Sequence, residues 1–186
     1  MIDKLTIKRR YRYPLPIYII ILILLLLSQS VRSAVNMHLY GALVAEPCVI
    51  PPGEENITLD FGAVIDKYLY INNRTPGQAF VINLTQCDLS LGNVVDITFT
   101  GKESPNLTGM LALAPESQAS GVAIGMETPD GNFLPLNKKV QSYPLAAGTS
   151  AVTVHAYLQG EPAAIINERI VPGPFSAVAT FNLKYQ

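Results

Sequence analysis

The chain has 186 residues, 49% of them hydrophobic and 15% charged, a one-domain length with enough apolar material for a core, which excludes disorder as its main state. Two Cys and two His, His38 and His155, are too few for a zinc cluster or an iron-sulfur centre built by one chain. The formal charge of -1 hides an asymmetry: Lys4, Lys8, Arg9, Arg10, Arg12 and Arg32 sit in the first 33 residues against Asp3 alone, and the acidic remainder lacks the basic stripe that nucleic acid demands.

In chain order, the basic stretch Lys8 to Arg12 precedes an unbroken apolar run from Ile17 to Leu27. That run suits the apolar region of a signal peptide, about 7 to 15 residues, better than a bilayer-crossing helix of about 20. Small or modest side chains at Val31 and Ser33 predict cleavage before Ala34, so residues 1–33 read as a leader and no membrane anchor remains afterwards. An uncleaved signal anchor is the competing reading.

Export sets how the next features read. Val35, Met37, Leu39, Gly41 and Leu43 fall on one face of an extended segment, with Asn36, His38, Tyr40 and Ala42 on the other. Pro47 then favours extended backbone before Cys48. Cys48 and Cys87 lack the CxxC spacing of a redox centre, and in an oxidising compartment the pair reads as one structural disulfide, with a reactive thiol as the alternative.

Beyond Cys48 the chain reads as successive strands. Phe80, Ile82 and Leu84 alternate with Val81, Asn83 and Thr85, and Val95, Ile97 and Phe99 alternate with Asp96, Thr98 and Thr100. Further candidates are 57–61, 110–113, 122–127, 152–158 and 175–185. Turn chemistry separates them at Pro51-Pro52-Gly53, Thr75-Pro76-Gly77, Pro129 to Asn132 and Pro172-Gly173-Pro174. No stretch longer than about ten residues carries a 3.6-residue apolar stripe. The pattern predicts an all-β sandwich of immunoglobulin-like dimensions in one domain. At its end Phe175, Ala177, Ala179, Phe181, Leu183 and Tyr185 share one strand face.

The order and spacing of these features resemble a pilin subunit of the chaperone-usher fimbrial family of Gram-negative bacteria, most closely a minor or adaptor pilin. The resemblance rests on the alternating arm with Gly41, the pair Cys48 and Cys87, Leu59-Asp60-Phe61-Gly62, Phe80 to Cys87, Gly121 to Gly125 followed by Pro135-Leu136, and Ala179 to Gln186. Gly173 stands fourteenth from the C-terminus and Tyr185 is penultimate, as in the family's terminal motif.

The resemblance implies an incomplete Ig-like β-sandwich of six strands plus an N-terminal donor-strand extension, completed by donor-strand exchange. It divides the chain into a signal peptide, 1–33, a donor-strand extension, 34–45, and a pilin domain, 46–186. The groove left open would be bordered by Gly173, Phe175, Ala177, Ala179, Phe181, Leu183 and Tyr185. Val35, Met37, Leu39, Gly41 and Leu43 would be the arm lent to a neighbour, although a strand bulge also explains Gly41. The partners implied are neighbouring pilin subunits, a periplasmic chaperone and an outer-membrane usher, and the place is a fimbrium on the cell surface, where it would contribute to adhesion.

No cofactor and no metal are expected. His38 and His155 stand alone, and neither a GxSxG elbow, a phosphate-binding glycine loop nor an HExxH helix occurs, so the chain does not read as an enzyme. Four N-x-S/T patterns, at Asn56, Asn73, Asn83 and Asn106, read as incidental in a bacterial protein. Two other functions remain open at this stage: a single-domain carbohydrate- or protein-binding module using loops such as Asp130 to Asn132, and a complete secreted Ig-like domain without strand exchange.

Overall fold

The computed structural model describes residues 37, 39–138 and 141–186. The expected leader, residues 1–33, lies outside them, as do Ala34, Val35, Asn36 and His38. The chain separates into two units. The described residues of the first, Met37 and 39–42, form no strand and are exposed. The second unit, Leu43–Gln186, is the body.

Within the body the elements run α1 (Asp66–Asn72), β1 (Gln78–Cys87), β2 (Val94–Gly101), β3 (Val122–Glu127), β4 (Gln141–Pro144), β5 (Gly148–Gly160), α2 (Pro162–Ile166) and β6 (Ala179–Tyr185). They build two three-stranded antiparallel sheets, ordered β1-β5-β3 and β4-β2-β6. The alternation in β1 sends Ile82 and Leu84 inward and leaves Val81 and Asn83 exposed. They meet Val152 and Val154 of β5, Ile124 and Met126 of β3, and Val95, Ile97 and Phe99 of β2 in one core. Phe80 and Phe99 join the sheets edge to face, with ring centroids 6.3 Å apart.

The disulfide closes one end of this sandwich. Cys48 and Cys87 are bonded, with Cα atoms 4.2 Å apart, and Val49 exchanges backbone hydrogen bonds with Thr85 at 2.8 Å each way. Here β1 skips a residue against β5, since Thr85 faces Thr149 while Cys87 faces Gly148. The extra residue, Gln86, takes φ of 54°, the local price of a bulge.

Three strand expectations are corrected. Residues 57–61 are extended and turn Leu59 and Phe61 toward the core, yet they join no strand ladder. The C-terminal ladder starts at Ala179 rather than Phe175. Before it, the chain bonds sideways to a loop: Ala114 N–H donates to the Ser176 carbonyl and Gln118 N–H to that of Pro174. In the segment 110–113 only Leu111 makes bridges, to Glu103 and Ile124.

The sequence reading also lacks three elements. α1 and α2 span 7 and 5 residues, too short for a helical period to show. Asn73 ends α1 in the left-handed region at φ 66°, its N–H donating to the Leu69 carbonyl at 2.7 Å. β4 is an edge strand that finishes in Pro144, the place where a sheet tolerates proline.

In β2 alternation fails at a polar position. Asp96, expected to face solvent, is buried. The Ser142 hydroxyl and the Gln186 side-chain amide both donate to its carboxylate, so residues from β4 and the chain end cover it from either side of β2.

Candidate functional site

The site follows from the edge of the second sheet. β6 pairs with β2 and ends the sheet, so its other edge meets no strand among the described residues. An unpaired edge is a template for adding a strand. The side chains show the same incompleteness. On β2, with neighbours on both sides, Val95, Ile97 and Phe99 are buried. One strand away, Phe175, Ala177, Ala179, Phe181, Leu183 and Tyr185 all point inward and pack against the core, yet each stays only half-buried.

The gap beside them is a groove of about 1080 Å³. Ile57, Leu59, Phe61 and Val64 form one wall, and Phe175, Ala177, Ala179 and Phe181 form the other. Phe99, Leu111, Ile124, Met126, Ala156 and Leu158 lie along its floor. These are core side chains facing a cavity. Within this lining the Phe61 and Phe175 rings lie 6.1 Å apart. Glu55, Asp60 and Asp66 belong to the lining, which includes no Lys or Arg.

Five of the seven expected groove residues lie in this lining: Gly173, Phe175, Ala177, Ala179 and Phe181. Leu183 and Tyr185 continue the same face outside it, where the Tyr185 hydroxyl donates to the Cys48 carbonyl at 3.3 Å. Burial raises the Tyr185 phenol above its usual value, and the charge of Glu46 adds to this. Gly173 is required by close approach, because a Cβ there would stand 2.8 Å from Cβ of Gln118. The residues Ile57, Leu59 and Phe61 were readable only as part of a supposed strand, 57–61.

The arm is the converse of the groove. Met37, Leu39 and Leu43 are exposed apolar side chains, and Val35 lies outside the described residues. Among the described residues nothing within 4 Å would meet a Cβ on Gly41, and its φ lies outside the positive range. The described residues therefore give no steric reason for glycine there. Among the described residues no three His, Cys, Asp or Glu side chains gather to hold a metal ion.

The outer face of the β1-β5-β3 sheet carries a separate polar cluster. Both terminal nitrogens of Arg74 donate to the buried Glu127 carboxylate at 2.8 Å, and the guanidinium lies 3.9 Å from the Tyr157 ring centroid. Such a forked pair over an aromatic face is a structural clasp. Burial raises the Tyr157 phenol, with Arg74 pulling the other way.

A family profile described as fimbrial protein matches residues 37–186, arm and body together. The chain is 33% identical over 149 residues to the Fimbria A protein of Serratia marcescens, covering 78% of this chain and 81% of that one. To the fimbrial adapter PapK of Escherichia coli it is 28% identical over 166 residues, covering 86% and 93%. Among solved structures, the P pilus rod subunit PapA aligns with a TM-score of 0.65 at 23% identity, covering 76% of this chain and 100% of that one. The P pilus adaptor subunit PapF aligns at 0.51 and 19%, covering 76% and 97%. These structural likenesses establish the fold, an incomplete immunoglobulin-like sandwich.

Proposed function

We propose that this chain, which belongs to the fimbrial protein family and is a structural subunit of a fimbria, joins its neighbours by strand exchange through the groove. The arm Val35, Met37, Leu39, Gly41 and Leu43 enters the groove of one neighbour, while its own groove receives the arm of another. The observation that supports this reading is the face Phe175 to Tyr185, apolar and half-buried beside a free sheet edge. An added strand pairs that edge and seals the core in one step. If the four apolar arm residues are fully buried, at about 1.5 to 3 kcal/mol each, the gain is at most about 6 to 12 kcal/mol per junction.

The same physics calls for an escort. A subunit with an open core aggregates before it meets its neighbour, so a periplasmic chaperone fills the groove during export and exchange follows at an outer-membrane usher. The likeness to the fimbrial adapter PapK supports a minor or adaptor subunit. Adhesion is then a property of the fibre to which the subunit contributes, and no catalysis is assigned to it.

The test removes residues 34–45 from the mature protein, releases it from its chaperone, and offers a synthetic peptide of residues 35–44. The protein alone should aggregate or unfold, and the peptide should hold it as a folded complex. A peptide carrying Gly41→Leu should fail, because the added side chain must pass over filled groove. A truncated protein that melts reversibly as a monomer, unaffected by either peptide, overturns the proposal.

A further inference from the structure

We infer that successive copies of this chain also touch end to end, the turn Asp88 to Gly92 of one copy resting on the apolar pole of the next that carries Ile71, Ile166 and Val171. The inference rests on the strand-exchange reading above and adds a second contact outside the groove.

It begins with the length of the link between arm and body. At most about 18 Å of chain separates Leu43 from Cys48, five residues on. A neighbour that holds Leu43 in its groove must therefore sit over the disulfide end of this body. That end presents the turn Asp88 to Gly92, tied to the link where Asp88 N–H donates to the Pro47 carbonyl at 2.8 Å. The Asp88 carboxylate accepts from the Ser90 N–H at 2.9 Å and hydroxyl at 2.7 Å. This braced turn holds out Leu89 and Leu91, the latter 51% exposed.

The opposite pole is fixed by β5, whose 13 residues run from Gly148, paired with Cys87, to Gly160, paired with Val122, a span of about 40 Å. There the Gly160 N–H donates to the Asn73 carbonyl at 2.9 Å and Ser120 bridges to Val171. Ile71 and Ile166 are 79% and 80% exposed on this pole, and the exposed Val171 also lines the groove. The groove therefore reaches this pole at Val171.

An arm could enter a groove from either end. If its root lay at the neighbour's disulfide end, the two copies would face each other through like poles, and each arm would point back at the other. Such an arrangement closes into a pair. Only entry with the root at the Val171 end repeats head to tail into an open fibre. That direction brings Leu89 and Leu91 against Ile71, Ile166 and Val171, covering aliphatic surface on both poles.

The test places Leu91→Cys and Ile166→Cys in one full-length chain, lets it polymerise, and adds a short bismaleimide, which leaves the Cys48–Cys87 disulfide untouched. A covalent ladder of dimers, trimers and higher species after boiling in detergent is expected, with no crosslinked dimer from either single variant. Leu91→Cys with Val171→Cys, on the groove side of the same pole, should give a ladder as well. Fibres that form with no ladder from either double variant overturn the end contact and leave strand exchange standing. A crosslinked dimer from Leu91→Cys alone shows like poles meeting and overturns the direction. Failure to form any detergent-resistant assembly before crosslinking overturns the strand-exchange reading, and this contact with it.

Discussion

Replacing Leu39 by Ala isolates the arm from the body that carries it. Leu39 is 81% exposed, so its own subunit loses little, within about 0.5 kcal/mol as for surface substitutions generally. On the proposed strand exchange, the same side chain becomes core in a neighbour's groove. Full burial of a leucine contributes about 1.5 to 3 kcal/mol, and the share still exposed here makes about 1 to 2.5 kcal/mol available on transfer, with a further cost for the cavity left in the groove. At 1.4 kcal/mol per tenfold, a loss of about 2 kcal/mol speeds dissociation of a joined pair roughly 30-fold. The assay is exchange of a labelled donor subunit out of a complex with arm-deleted acceptor, run beside thermal melting of the donor's own body. Tyr40→Ala is the control, since Tyr40 is exposed on the opposite face of the arm and should leave exchange unchanged. The reasoning fails if Leu39→Ala lowers the melting of its own body and does not change exchange, or if Tyr40→Ala is the more damaging of the two.

Three further predictions concern the body. Cys48→Ser with Cys87→Ser opens a loop of 39 residues and should cost about 4 kcal/mol, read as a lower denaturant midpoint of the chaperone-free, strand-complemented protein; an unchanged midpoint contradicts it. Gly125→Ala would put a Cβ 2.4 Å from the Tyr157 ring, pushing the ring from beneath Arg74 at about 1 to 3 kcal/mol. Combining it with Tyr157→Ala should cost less than the sum of the two, and strict additivity would argue against this contact. Bonds from Ser90 hold the Asp88 carboxyl below its ordinary 3.8. A depressed folded value means that the turn's contribution is present above the unfolded pKa and is lost as pH falls through the folded one. An NMR titration of Asp88 should give a midpoint under 3.8, and the stability difference from Asp88→Asn should vanish in acid; a midpoint at or above 3.8 refutes the bracing.

Much of the sandwich was legible because period-two alternation survives wherever a strand has one wet face, as in Phe80 to Thr85. It misled at Asp96, where Gln186 and Ser142 reach over from the chain end and another strand, a contact that no local pattern encodes. Residues 57–61 were read as a strand and join no ladder, since alternation reports which way side chains point and says nothing about whether a partner strand exists. The groove itself was not readable from periodicity: Phe175 to Tyr185 has the pattern of a finished strand, and only its half-burial in the fold distinguishes it. The resemblance to fimbrial subunits supplied that expectation, and the short helices passed unseen because one or two turns leave no period.

Asn56 lines the groove and heads an Asn-Ile-Thr triplet, which has a practical consequence for anyone producing this protein as an antigen. A yeast or mammalian secretory pathway would treat that triplet as an attachment point for a branched oligosaccharide, planting a bulky, hydrated tree beside the place where the proposed exchange lays an incoming strand. Material made that way would carry the right epitopes on a subunit unable to link up, whereas Asn56→Gln would keep the cleft clear.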